Sequence, residues 1–132
     1  MSLDWLKQIR WNKDGLIAVI VQDYISLKVL MVAWANEEAI REAISTGRSC
    51  FWSRSRRKLW RKGEESGHYQ NIKEVFLDCD GDALLLHVEQ IGDIACHTGR
   101  NSCFFRKLER KSTWLDDEVI LKSSNDIYGK ND

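Results

Sequence analysis

The chain has 132 residues, 43% of them hydrophobic, with 20 Lys and Arg balanced by 20 Asp and Glu for a formal net charge of zero. Such a chain suits one globular domain (1–132) with an ordinary core, and its charge balance excludes a whole-protein field that would gather nucleic acid or a membrane surface non-specifically. No apolar run approaches a membrane span, and MSLDWLKQIRW lacks the basic start and apolar core of an export signal, so a cytoplasmic protein with no membrane or nucleic-acid partner and no second catalytic domain is expected.

In chain order, Leu3, Leu6 and Ile9 mark one or two amphipathic turns that pack as a lid on the core. Residues 16–22 (LIAVIVQ) and 27–35 (LKVLMVAWA), parted by a polar break at Asp23 and Ser26, read as a hairpin of two buried strands. Asn36 is a good N-cap, Glu37 and Glu38 suit the positive helix end, Ala39, Ile40, Ala43 and Ile44 form an apolar stripe, and Gly47 supplies the stop. These signals predict a helix over 36–46. SCFWS and KLWRK are strand candidates separated by Arg54, Ser55, Arg56 and Arg57, and GEESGHYQ is too polar to be core. IKEVFLD and ALLLHVEQ flank Asp80-Gly81, a dipeptide favoured in tight hairpin turns. CHTGRNSC reads as a loop, CFFRKLE as a final strand, and residues 110–132 as a polar C-terminal tail with a short helix around 114–121 and a frayed end. The expected fold is α+β: strand-rich, with a mostly antiparallel sheet, one main helix (36–46) and short terminal helices.

Most of the chemistry lies in residues 78–103, DCDGDALLLHVEQIGDIACHTGRNSC, which hold three of the four cysteines. Asp78, Asp80 and Asp82 alternate, so on an extended chain they share one side while Cys79 points to the other. Hard carboxylates suit Mg²⁺ or Ca²⁺ and soft thiolates suit Zn²⁺, which makes two different metal sites conceivable. An EF-hand is excluded: Glu89 falls at the twelfth position, but the glycine required at the sixth is Ala83. A solvated acidic turn fits the aspartates equally well. Four cysteines in a reducing compartment point to metal binding, reactivity or burial before disulfides. Cys96 and Cys103 lack knuckle spacing, and three thiolates would leave a zinc coordination position open, as catalysis requires; the alternative is three buried cysteines that bind nothing. Cys50, between Ser49 and Phe51, reads as core.

Three thiolates blunt the acidity of a bound zinc, so a nearby base would help, and His97, next to Cys96, is the candidate. His87 alternates with Leu86 and Val88 and reads as half-buried or exposed; His68 sits in a polar loop where binding and solvation fit equally. Arg54, Arg56, Arg57, Lys58, Arg61 and Lys62, interleaved with Trp52 and Trp60, look like a nucleic-acid patch. The zero net charge favours a smaller target, the phosphates of a small ligand, held with Ser53 and Ser55. A solvated strand face with its tryptophans in the core is the plain alternative.

The runs VLMVAWAN (29–36), GRSCFWSRSR (47–56), LWRKGEESGH (59–68), DCDGDALLL (78–86) and CHTGRNSCF (96–104) together resemble the phosphoribosyl-AMP cyclohydrolases of histidine biosynthesis. Residues after Lys111 match nothing in that pattern. The resemblance implies a zinc-dependent, Mg²⁺-requiring hydrolase that adds water to carbon 6 of 1-(5-phosphoribosyl)-AMP and breaks its bond to ring nitrogen 1, giving the formimino-carboxamide ribotide. It places zinc thiolates on Cys79, Cys96 and Cys103 and magnesium carboxylates on Asp78, Asp80 and Asp82. It also implies a homodimer with zinc shared between subunits. Some members carry a fused phosphoribosyl-ATP pyrophosphohydrolase domain, for which this chain is too short. On this reading zinc supplies the nucleophile and His97 moves a proton. Trp52, Ser53, Arg54, Ser55 and Arg56 are the candidate contacts that, with Mg²⁺, position the phosphorylated nucleotide. A metal-dependent nuclease and a zinc-stabilised interaction module are the competing classes.

Overall fold

The computed structural model describes residues 4–128. A single helical turn, α1 (Asp4–Lys7), lays Leu6 on the core, and Ile9 just beyond it is buried too. Leu3 lies outside the described residues. β1 (Ile17–Asp23) and β2 (Val29–Ala35) form the expected antiparallel hairpin. The polar break between them is an Asx turn: Asp23 Oδ1 accepts the amides of Ile25 at 2.8 Å and Ser26 at 3.0 Å.

α2 (Glu37–Thr46) runs between the predicted caps. Asn36 accepts the Ala39 amide at 2.9 Å, and Gly47, at φ 75°, donates its own amide to the Ala43 carbonyl. β3 (Cys50–Ser53) and β4 (Lys58–Arg61) form a separate hairpin, with Phe51 opposite Trp60 and Ser53 opposite Lys58. β5 (Gln70–Leu77) and β6 (Ala83–Gln90) complete a four-stranded sheet of order β2-β1-β6-β5. Its pairings are antiparallel except for β1 with β6, which run parallel.

One sheet face is the core. Ile17, Val19 and Val21 of β1 and Leu84, Leu86 and Val88 of β6 are buried with Ala39, Ile40 and Ala43 of α2 and Phe51 of β3. The opposite face carries an apolar row in register across all four strands, Val32–Ile20–Leu85–Phe76, in which Val32 is 54% and Phe76 44% exposed.

After β6 and a 3₁₀ turn (Ile91–Asp93), a loop leads to β7 (Arg106–Glu109), β8 (Thr113–Asp116) and the short α3 (Ser124–Tyr128). The helix expected around 114–121 is absent, and the strand expected over 103–109 neither starts at Cys103 nor is the last. Leu115 pairs with Lys107 and Trp114 with Leu108 in an antiparallel hairpin. Its turn puts Arg110 and Lys111 at φ 49° and 60°, the sign pattern of a type I′ hairpin turn, in residues that do not advertise it. The polar run GEESGHYQ also ends differently from expectation. Gln70 is fully buried and opens β5, where its side-chain amide donates to Gln90 Oε1 at 2.8 Å. With its mostly antiparallel strands and, among the described residues, three short α-helices, the fold is α+β.

Candidate active site

A cleft of about 560 Å³ lies between the β3–β4 hairpin, the loop after β6 and α3. That is an ordinary volume for a nucleotide-sized ligand. Ser53, Ser55, Arg56 and Lys58 line one end, and His97 and Tyr128 also face the cleft. The hairpin turn is shaped by its serines: Ser53 Oγ accepts the Arg56 amide at 3.2 Å and lies 3.5 Å from Ser55 Oγ. Arg61 lines the cleft too, but its guanidinium is engaged by Glu42 at 2.6 and 2.8 Å, tying β4 to α2. Those hydrogen bonds hold the Glu42 carboxyl below its ordinary pKa. Lys62 lines the cleft as well, but its ammonium is held by the Ala95 carbonyl, so Arg56 and Lys58 are the lining Lys and Arg cations left to meet an anion. Of the expected substrate contacts, Ser53, Ser55 and Arg56 line this cleft. Arg54 instead stacks on Trp34, 5.0 Å from its ring centroid, and Trp52 is half-buried outside the lining.

Residues 94–103 bring Cys96 and Cys103 together. Burial, then the neighbouring Cys96 sulfur, pushes the Cys103 thiol up to about 12. The loop is anchored to β2, where the Cys103 amide donates to the Leu30 carbonyl at 2.7 Å and Ser102 Oγ to that of Val29 at 2.7 Å. Thr98 Oγ1 donates to Cys96 Sγ at 3.0 Å. The C-terminal segment straps it from outside. Leu121 donates its amide to the Gly99 carbonyl at 2.8 Å, and Arg100 reaches the Glu118 carbonyl at 3.3 Å and Asp116 at 3.1 Å. Gly99, at φ 88°, leaves no room for a side chain, since a Cβ would overlap the Lys122 carbonyl oxygen.

Cys79 is elsewhere. β5 ends at Leu77, so Asp78–Asp82 is a turn and not an extended strand; the strand-alternation argument for the two faces does not apply. Asp78 closes the turn, its Oδ1 accepting the amides of Asp82 at 2.9 Å and Ala83 at 3.2 Å. Desolvation would raise the Asp78 pKa, but these hydrogen bonds and one from the Asp82 side chain hold it below the ordinary value; beside it Asp82 is raised. Asp80 and Asp82 border a second hollow with Arg10, Trp11 and Trp34. The turn precedes β6 and the thiol loop follows it. That strand's eight residues span roughly 25 Å at about 3.3 Å each, so within one chain Cys79 is far from Cys96 and Cys103. Among the described residues no three His, Cys, Asp or Glu side chains are gathered to hold a metal.

The other titratable candidates separate cleanly. Cys50 is in the core, its thiol pushed up to about 12 by burial, then by Glu42. His87 sits on the outer sheet face between Gln22 at 2.8 Å and Glu74 at 3.3 Å, a structural position. His68 is half-buried, and burial followed by Lys122 and Lys62 lowers its pKa. Sequence reasoning missed the distinct role of Lys62, which is buried and donates from Nζ to the Ala95 carbonyl at 2.5 Å, and missed Tyr128 altogether. No local signal marks either, because both reach the cleft through long-range packing.

The family model described as phosphoribosyl-AMP cyclohydrolase matches residues 31–105. A phosphoribosyl-AMP cyclohydrolase of Nitrosospira multiformis is 58% identical over 130 residues, 98% of this chain and 99% of that protein. One from Nitrosococcus oceani is 54% identical over 132 residues, 100% of this chain and 99% of its own length. One from Methylobacillus flagellatus is 53% identical over 128 residues, with coverage of 97% and 98%.

Proposed function

The chain belongs to the phosphoribosyl-AMP cyclohydrolase family, and from that premise we propose how its own residues carry the reaction. The enzyme is a hydrolase of histidine biosynthesis that opens the purine ring of 1-(5-phosphoribosyl)-AMP between nitrogen 1 and carbon 6. The observation that carries the site assignment is that His97, on the loop that brings Cys96 and Cys103 together, lines one cleft with the β3–β4 turn. Arg56, Lys58, Ser53 and Ser55 bind a substrate phosphate at one end. The purine lies toward His97.

Two adjacent thiols form a soft donor pair that fits zinc, with Cys96 and Cys103 holding the ion and the third thiolate coming from Cys79 of a second copy. Zinc, when bound, would polarise water for attack on carbon 6. His97 takes a proton from the attacking water and returns one to nitrogen 1 as the carbon–nitrogen bond breaks, so the water oxygen ends in the carboxamide. Asp78, Asp80 and Asp82 would hold Mg²⁺; Asp78 and Asp82 already stand close enough that one carboxyl is lowered and the other raised, a crowding a cation would relieve.

Shared zinc requires a homodimer. The separation of Cys79 from the other thiols along β6 supports it, as does the row Val32–Ile20–Leu85–Phe76, exposed at all but the half-buried Leu85, an apolar strip of the kind subunits cover. Among the described residues no helix is long and apolar enough to cross a membrane. A cytoplasmic setting follows from the biosynthetic reaction.

The test mixes an inactive Cys79→Ser chain with an inactive Cys96→Ser chain, dissociated and reassembled with zinc, and assays turnover of phosphoribosyl-AMP. In a mixed dimer one site carries both defects and the other neither, so about half of the native activity per mixed dimer should return. No recovery in verified mixed dimers places each zinc within one chain.

A further inference from the structure

Lys62 is the only charged side chain that is buried among the described residues, at 7% exposure. It stands at the end of β4 with its amide donating to the Ser49 carbonyl at 3.2 Å, while Nζ donates to the carbonyl of Ala95, the residue before Cys96. The Trp60 ring centroid lies 5.7 Å from the ammonium. No carboxylate pairs with it among the described residues. An ammonium removed from water without a counter-charge is strongly disfavoured, so a buried lysine has either lost its proton or found a negative partner. Its ammonium is held on the carbonyl of the residue before Cys96, and the Cys96 sulfur neighbours that of Cys103, so the thiol pair is what the fold sets beside it as a source of negative charge.

Three thiolates around Zn²⁺ leave one negative charge in excess, and beside the buried Cys96 an unmatched excess charge is disfavoured as an unmatched ammonium is. The two problems share one solution. We propose that Lys62 is the counter-charge of the thiolate site: its ammonium, fixed by Ala95 O, offsets the excess charge of the zinc-thiolate centre and stabilises zinc against loss. Lys62 is thus a positioning and charge-matching residue, distinct from the phosphate-binding cations Arg56 and Lys58 on the same hairpin. The inference rests on the zinc site proposed above. It also accounts for a charge inside a hairpin whose other basic residues remain exposed. Outer-shell partners of metal ligands commonly change metal affinity by about 10–100-fold.

The experiment measures zinc transfer from the purified, zinc-loaded protein to a chromogenic chelator, without substrate. Lys62→Met keeps an unbranched side chain, one atom shorter, and removes the charge; zinc should be held about 10–100-fold more weakly. Lys62→Arg keeps the charge and should hold zinc within a few-fold of the native protein. Lys58→Met, a charge loss in the same cleft, should leave zinc retention unchanged. Thermal melts of loaded and metal-free protein add a readout that a packing defect would not mimic. A packing defect lowers both Tm values together, whereas loss of the counter-charge narrows the gap between them. Native retention in Lys62→Met, an equal loss in Lys58→Met, or zinc loss from folded Lys62→Arg would each overturn the proposal. A native protein that binds no zinc would overturn the metal site first, and this inference with it.

Discussion

The loop carrying Cys96 and Cys103 is held from three sides: by Val29 and Leu30 of β2, by Lys62 beyond β4, and by the C-terminal segment through Leu121 and Glu118. The turn carrying Asp78, Cys79, Asp80 and Asp82 is held by its own amides and by a single backbone bond from Arg10 to the Gly81 carbonyl at 2.7 Å. The two stand at opposite ends of β6. Sulfurs on a loop pinned from several sides, with Cys96 buried, suit a metal that stays with the protein, because their geometry survives each turnover. Exposed carboxylates in a short turn suit a hydrated cation that exchanges, since Mg²⁺ keeps much of its water and asks for few protein ligands. Donors that neighbour one another in sequence thus stand in surroundings of very different rigidity.

The largest effect that would break this contrast is at the loop. Cys96→Ser should release zinc and reduce turnover to background together, while Cys50→Ser, changed inside the core, keeps both; metal content and activity of the purified variants decide. Full zinc content in Cys96→Ser would remove the loop from the metal site. A smaller effect is expected at the turn. Asp80→Asn removes charge with little change of volume and should raise the Mg²⁺ concentration for half-maximal turnover roughly tenfold, with zinc content unchanged. Unaltered magnesium dependence in Asn variants of all three aspartates would make the turn a solvated one.

The smallest effect concerns stability near the loop. Burial, then Lys122 and Lys62, lowers the pKa of His68 in the folded protein. The unfolded chain then takes up this proton first as pH falls, so it binds more protons than the folded chain and stability rises with pH. The contribution is fully present above the ordinary histidine value near 6.5 and is lost as pH falls toward the lowered folded value. His68→Asn should flatten that part of the stability curve, read from denaturant melts across it. An unchanged curve would place His68 in solvent.

Local chemistry made much of the molecule legible. Asn36 and Gly47 bound α2 because capping groups act within one helical turn, and the alternation in ALLLHVEQ reports one buried sheet face. The β7–β8 hairpin was missed because Arg110 and Lys111 adopt positive φ without glycine or asparagine to announce it. The expectation that the aspartates share one side of a strand is not met, for another reason. Alternation implies a shared side only on an extended chain, and the chain turns at Asp78.

Donor chemistry was present in the residues themselves: thiolates for a soft metal, carboxylates for a hard one, a basic serine-containing turn for phosphate, and a histidine next to a cysteine. Their grouping was decided by the tertiary structure. The parallel pairing of β1 with β6 joins residues such as Ile20 and Leu85 that no local pattern relates, and β6 then carries the aspartates and the thiol loop to opposite ends of the sheet. The same long-range packing buries Lys62 against Ala95 and brings Tyr128 to the cleft. Side-chain chemistry and short-range periodicity act over a few residues, whereas distances across a fold depend on which strands pair, and that is set by the whole core at once.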